Sequence, residues 1–300
     1  MDNLNFGSYI VDRVHTLEGT NQMPKVVATH PSGSSVEVYL QGAHVTSWKT
    51  ITGEELLFLS KKAYFQLDKP IRGGIPIVFP QFSNQGPLPQ HGIVRARQWE
   101  LVHAEVQDSD TTVVHFEIRH NPQTLEVWQH KFELHLEVLL NAYELALRLH
   151  VKNTDSRDFD FQAAFHTYFR VAEITKTKVL GLSGTEFLDA LRGYVRETER
   201  RSAINFDQET DRIYVNTRDE LFIEDAGNNR RITIVKENMP DVVVWNPWVE
   251  KSRRMPDFED NEFHQMVCVE TGVIEKPIHL PPMSKWTGFT KFSYQNLNTI

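Results

Sequence analysis

The chain has 300 residues, 40% hydrophobic and 11% aromatic, with a formal net charge of −8. That much apolar material can bury a substantial core, which excludes a disordered chain, and the acidic balance speaks against nucleic acid or an anionic membrane as partner. One cysteine, Cys268, excludes an intrachain disulfide framework and a cysteine-cluster metal site, and it fits a reducing compartment.

The start, Met1-Asp2-Asn3-Leu4-Asn5-Phe6, lacks the basic residues and apolar run of a secretory signal. No stretch approaches the roughly 18–20 apolar residues of a membrane span. The end, Asn298-Thr299-Ile300, is not a peroxisomal address. The expectation is a soluble cytoplasmic protein.

Strand signals dominate from Val36 onward. Val36–Trp48 and Leu56–Ser60 are rich in β-branched and aromatic residues. Lys69-Pro70-Ile71-Arg72-Gly73-Gly74-Ile75-Pro76 follows, where two glycines after an arginine would let backbone approach a ligand closely. A guanidinium offers a planar fork of donors suited to phosphate. Gln81–Gln90 reads as a loop, and Pro89-Gln90-His91-Gly92-Ile93-Val94-Arg95-Ala96-Arg97 adds an amide, an imidazole and two more guanidiniums. Either basic segment taken alone could equally be a surface turn with solvated charges.

Thr111–Arg119 reads as a strand and Pro122–Gln129 as a short helix. From Phe132 to Lys152, two alternating apolar runs flank Asn141-Ala142-Tyr143, which predicts an antiparallel hairpin. In Phe159–Phe169 the period of two puts Phe159, Phe161, Ala163, Phe165, Thr167 and Phe169 on one face. Asp160, Gln162, Ala164, His166 and Tyr168 take the other, so an imidazole sits on the polar face of an aromatic strand. Its ordinary pKa, roughly 6.5, suits proton transfer near neutrality.

Glu186–Glu199 reads as a second short helix, whereas Arg231–Lys236 and Asp241–Trp245 read as strands. Asp211, just before a strand, is either a turn former or an acceptor for sugar hydroxyls. Trp245-Asn246-Pro247-Trp248 places two indoles around a turn, as a core plug or as platforms for pyranose faces. Glu270 closes the apolar run Met266–Val269 just before Thr271-Gly272. It either reaches solvent at a strand end or is a buried carboxylate of raised pKa, a stronger base than an exposed glutamate.

Many strands, few helices, no βαβ rhythm and no linker predict one antiparallel β-sandwich or barrel domain. There is no GxxxxGK[ST] loop, no GxGxxG after a strand, no HExxH and no GxSxG elbow. The thirteen histidines show no metal-ligand spacing, and His115, His120, His130, His135 and His150 read as solvent-face or structural residues.

Taken in order, several segments resemble the glucose-6-phosphate 1-epimerase branch of the aldose 1-epimerase (galactose mutarotase-like) superfamily. They are Gly42–Trp48, Arg72–Pro76, Pro89–Gly92, Phe165–Arg170, Glu209–Asp211, Trp245–Trp248 and Met266–Glu270. The resemblance runs from Pro24 to Trp286, leaving residues 1–23 as an N-terminal extension before a single domain at 24–300. It implies an all-β fold, a large antiparallel β-sandwich with a few short helices and a concave cleft. It also implies that His166 protonates the ring oxygen, Glu270 deprotonates the anomeric hydroxyl, and Arg72 and Arg95 hold phosphate. Gln90 and Asp211 bind substrate, with His91 a neighbour. The implied enzyme is a monomeric isomerase of a small-molecule hexose 6-phosphate, with no cofactor and no metal.

The chain departs from that pattern at Ala96, at Thr271 and in the basic Ser252-Arg253-Arg254. An aldose 1-epimerase for unphosphorylated sugars and a noncatalytic carbohydrate-binding protein are the alternatives. A glycosidase using Asp211 and Glu270 as paired carboxylates is a further one.

Overall fold

A computed structural model describes residues 12–108 and 110–297. The chain start and end discussed above, and residues 1–11 of the N-terminal extension, lie outside the described residues. Within that extension, Val14–Glu18 forms a strand pairing with Pro24–Thr29.

The expected all-β architecture is observed. Among the described residues, antiparallel strands build sheets of four, eight and nine strands, with two short α-helices at Pro122–Val127 and Trp248–Arg254. The two larger sheets face each other as a sandwich. On the nine-stranded side, Leu134, Leu136, Val138, Leu140, Leu145, Leu147, Leu149 and Val151 are completely buried, the outcome that alternation in the Phe132–Lys152 hairpin predicts. Phe169 of the eight-stranded sheet meets Phe292 of the other edge-on at 5.2 Å, and Phe161 meets Trp286 at 5.4 Å. A hydrogen bond of 2.6 Å between Thr271 Oγ1 and Thr290 Oγ1 crosses the same core. Thr271, one of the departures noted above, thus has a partner on the opposite sheet.

Three local expectations need correction. Val36–Trp48 is two strands, Ser35–Tyr39 and His44–Lys49, because Gly42 and Ala43 both take positive φ and reverse the chain. Leu56–Ser60 joins no continuous ladder: Leu56 N–H donates to Trp48, Phe58 N–H to Tyr168 and Ser60 N–H to Arg72. The segment threads between sheets, and its apolar side chains fill the core. Glu186–Glu199 is a hairpin rather than a helix, pairing Glu186–Asp189 with Val195–Thr198. The Asp189 carboxylate accepts from Leu191 N–H at 3.1 Å and Gly193 turns left-handed, so a tight turn forms where a helix would otherwise continue.

Candidate active site

The aromatic run bearing His166 is two strands, Phe159–Phe165 and Tyr168–Arg170, both paired with Met266–Leu280. The pairs Phe165–Thr271 and Tyr168–Cys268 keep one register across the interruption. One step inward from Phe165–Thr271 puts His166 opposite Glu270. In the gap, backbone bonds turn aside to the glycine-rich segment: His166 N–H donates to Pro76 at 3.0 Å and Tyr168 N–H to Gly74 at 2.9 Å.

This explains the paired glycines differently from the sequence expectation. Gly73 and Gly74 have φ of +115° and +62°. A Cβ on Gly73 would stand 2.5 Å from the Phe58 carbonyl oxygen, and one on Gly74 would strike the Val45 carbonyl. The close approach they permit is to neighbouring backbone, not to a ligand. Their effect on the cleft is to dock the Arg72 segment against the strand that carries His166.

His166 Nδ1 lies 3.2 Å from Glu270 Oε1, and both side chains are buried. The contact lacks hydrogen-bond alignment: His166 Nδ1 and Glu270 Oε2 have no hydrogen-bond partner among the described residues. The imidazole stacks on Tyr168, with centroids 4.8 Å apart and planes within 5°, and it meets Trp245 edge-on at 6.1 Å. Burial pushes the His166 pKa well below its ordinary value, with His91, Arg95 and Arg72 adding to the depression. Burial pushes Glu270 well above the carboxylate range, reinforced by Asp211 and opposed by Arg95. Both shifts favour an uncharged pair, and coupling this close makes the protonation state a property of the pair.

All six site residues expected from sequence, Arg72, Gln90, Arg95, His166, Asp211 and Glu270, line one cleft of about 390 Å³. Arg72 is held on two sides: Nε and Nη2 each lie 3.1 Å from Asp257 Oδ2, and Nη1 donates to the Tyr168 hydroxyl at 3.1 Å. Arg95 donates to the Gln90 carbonyl at 2.8 Å and forms no ion pair among the described residues. Burial lowers its pKa to about 10, and the like charge of Arg72 contributes. It remains a cation at neutral pH and is the guanidinium most in want of an anion. Gln90 is exposed at the rim. Asp211 pairs across strands with Trp245, and burial raises its carboxyl to about 6 against the pull of Lys251. His91 is buried, accepts from Ser83 N–H through Nδ1 at 3.3 Å, and lies 5.1 Å from the His166 ring.

Sequence reasoning missed Tyr168 as the Arg72 acceptor, Asp257 as the Arg72 anchor and Lys251 as a lining cation. Tyr168 carried a signal, since it shares the polar face with His166. Asp257 carried none, because its role depends on a partner 185 residues away. Arg253 and Arg254, which stood out in the sequence, bond back to Glu250 and do not line the cleft.

Donor atoms of His166, Cys268 and Glu270 lie within 4.8 Å of one another. Burial, seconded by Glu270, raises the Cys268 thiol well above its usual range. A thiol held protonated is a poor metal ligand, so the trio amounts to a histidine–carboxylate contact with a protonated sulfur beside it. The arrangement can pass a proton between imidazole and carboxylate, and the same cleft is lined by two guanidiniums able to take an anion.

Residues 24–293 match the Aldose 1-epimerase family. A Cenchrus ciliaris protein provisionally named a glucose-6-phosphate 1-epimerase is 41% identical over 273 residues, covering 89% of this chain and 83% of the relative. An Escherichia coli K12 protein with the same provisional name is 33% identical over 270 residues, covering 87% and 89%. The crystal structure of a Salmonella typhimurium protein, provisionally described as a mutarotase, superposes with a TM-score of 0.84 at 28% identity, covering 94% and 97%. A galactose 1-epimerase from Lactobacillus acidophilus shares the fold at 14% identity and a TM-score of 0.71, covering 94% and 98%. The chain belongs to the aldose 1-epimerase family.

Proposed function

We propose that this protein interconverts the α and β anomers of a hexose 6-phosphate, the activity of a glucose-6-phosphate 1-epimerase. The observation that carries the reading is the 3.2 Å approach of His166 to Glu270 in a cleft that Arg72 and Arg95 also line. The names of the relatives from Cenchrus ciliaris and Escherichia coli support the same substrate class.

Anomer exchange opens the hemiacetal, rotates the C1–C2 bond and closes on the other face of the aldehyde. Glu270 takes the proton from O1 as the C1–O5 bond breaks, and protonated His166 delivers one to O5. On closure O5 attacks C1 and returns its proton to His166, while Glu270 gives its proton back to O1, so no proton is gained or lost over the cycle. In the substrate-free cleft the pair is biased toward its uncharged form. A phosphate on Arg72 and Arg95 cancels part of the positive field that depresses His166, so binding itself favours the imidazolium needed for ring opening. In this reading Asp211 and Gln90, which line the same cleft, take hydrogen bonds from the sugar, and Trp245 packs against the ring.

The test is exchange spectroscopy by NMR on glucose 6-phosphate. The expected result is fast exchange in the wild type and loss of at least a hundredfold in His166→Ala and Glu270→Gln, in the usual range for a positioned acid or base. Binding of the sugar phosphate by calorimetry with no acceleration of exchange would instead make this a carbohydrate-binding protein.

A further inference from the structure

The outward face of the nine-stranded sheet, across the core from the cleft, carries a group of histidines that the proposed reaction does not use. The strand pairs His103–His115, His115–Glu137 and Glu137–Arg148 form one row across the sheet. Glu117–His135 and His135–His150 form the next row on the same face. Period-two alternation gathers them there, because the intervening residues Val114, Phe116, Leu134 and Leu136 are committed to the core. In sequence these histidines are scattered; register brings them together.

His115 Nδ1 and His135 Nε2 stand 3.0 Å apart, two imidazole nitrogens sharing one proton. A donor nitrogen from each and a carboxylate oxygen of Glu137 all lie within 4.8 Å of one another. His115 is 14% exposed, and its other nitrogen, Nε2, is buried with no hydrogen-bond partner, 3.7 Å from Glu105. The Glu137 carboxylate is fixed from the side by Arg148 and by His150 Nε2 at 3.2 Å, and His150 is in turn tied to Thr287 at 2.8 Å. A tetrahedral ion with bonds of roughly 2.0–2.1 Å to nitrogen sets its ligand nitrogens roughly 3.3 Å apart, close to the spacing present.

We propose that His115, His135 and Glu137 form a binding site for a late first-row divalent cation, with Zn²⁺ the representative ion. The cation takes the place of the proton between the two imidazoles, which moves to the far nitrogen of the ring that held it, so both ligands stay neutral. The cation also takes one carboxylate oxygen and leaves a fourth position for water. Glu137, oriented by His150 and Arg148, brings the negative charge that the two neutral ligands lack. The bound ion staples the Thr111–Arg119 strand to Phe132–Leu140.

The experiment titrates tag-free full-length protein with Co²⁺, whose visible bands report its ligands, and then displaces the Co²⁺ with Zn²⁺. The expected result is one ion per chain, ligand-field bands of a nitrogen–oxygen set, and no thiolate charge-transfer band. His135→Gln and Glu137→Gln should each weaken binding at least tenfold while anomer exchange and the circular dichroism spectrum stay unchanged. Absence of stoichiometric binding, equal affinity in both variants, or a thiolate band assigning the ion to Cys268 would each overturn the proposal.

Discussion

His166 and Glu270 face each other as cross-strand partners at a point where the ladder between their strands is interrupted. Their 3.2 Å contact joins two side chains whose backbones pair elsewhere, His166 N–H with Pro76 and Glu270 in register with Val243. Opposite pKa shifts on the two groups turn this geometry into a prediction about pH.

The reaction requires one proton on the pair. With His166 shifted down and Glu270 shifted up, the singly protonated state spans a wider range than free histidine and glutamate would give. The kcat/KM profile for glucose 6-phosphate should be bell-shaped, with its acid limb below the ordinary histidine value. Its alkaline limb belongs to loss of the pair's last proton, well above the ordinary carboxylate value. A profile with a single limb at about 6.5 would show that His166 titrates alone, contrary to the proposed mechanism.

Arg72 and Arg95 should discriminate phosphorylated from neutral sugars. Each charge-assisted hydrogen bond to phosphate contributes roughly 1.5–3 kcal/mol, so Arg95→Ala should lower kcat/KM for glucose 6-phosphate by roughly 10–100-fold. The same change should move turnover of glucose by less than about threefold. Equal losses on both sugars would assign the arginines a structural role and favour a neutral-aldose epimerase.

Asp257 is expected to act through Arg72 as a positioning residue. Asp257→Asn keeps the shape but loses the charge opposite Nε and Nη2. The effect should appear in KM for the phosphorylated sugar, a rise of about tenfold, with kcat and glucose turnover little changed. A kcat effect of equal size on both sugars would mean that Asp257 supports the fold of the cleft rather than the aim of Arg72.

Glu270 should be costly to stability as well as useful to chemistry. A carboxyl whose pKa is raised on folding stabilises fully below its unfolded pKa, and that contribution is lost as pH rises toward the folded value. Glu270→Gln should thus raise Tm at neutral pH, by a gain of roughly 1–3 kcal/mol because the amide carries no proton-linked cost, while lowering exchange at least a hundredfold. The Tm difference should shrink at pH 4. A lower Tm for the variant at pH 7 would show that the ionised carboxylate is stabilised where it stands.

Gly74→Ala should fail in a different way. Its left-handed φ and the adjacent Val45 carbonyl leave no place for a methyl group. The expected loss exceeds about 1 kcal/mol by thermal unfolding, with activity falling in proportion to folded protein.

Much of the fold was legible because period-two alternation is a local signal. The Phe132–Lys152 hairpin and the two-faced His166 run were both readable from it. His166 and Glu270 were legible for the same reason, as two polar residues out of place among apolar ones. What escaped the sequence depends on contacts across space. Gly42 and Gly193 redirect the chain through backbone conformation, so a strand became two and an expected helix became a hairpin. Asp257 finds Arg72 only after folding, and the outward-facing histidines become neighbours only once four strands are in register.

That register has one more implication. Side chains alternate between the two faces of a strand, so slipping Met266–Leu280 by a single residue would turn Glu270 into the core and offer Val269 or Thr271 to the cleft. A misregistered molecule would not be a slower enzyme but a silent one. Register is thus what aims Glu270 at the cleft, and a substitution that let the strand slip would lower activity by removing correctly threaded molecules rather than by slowing each one.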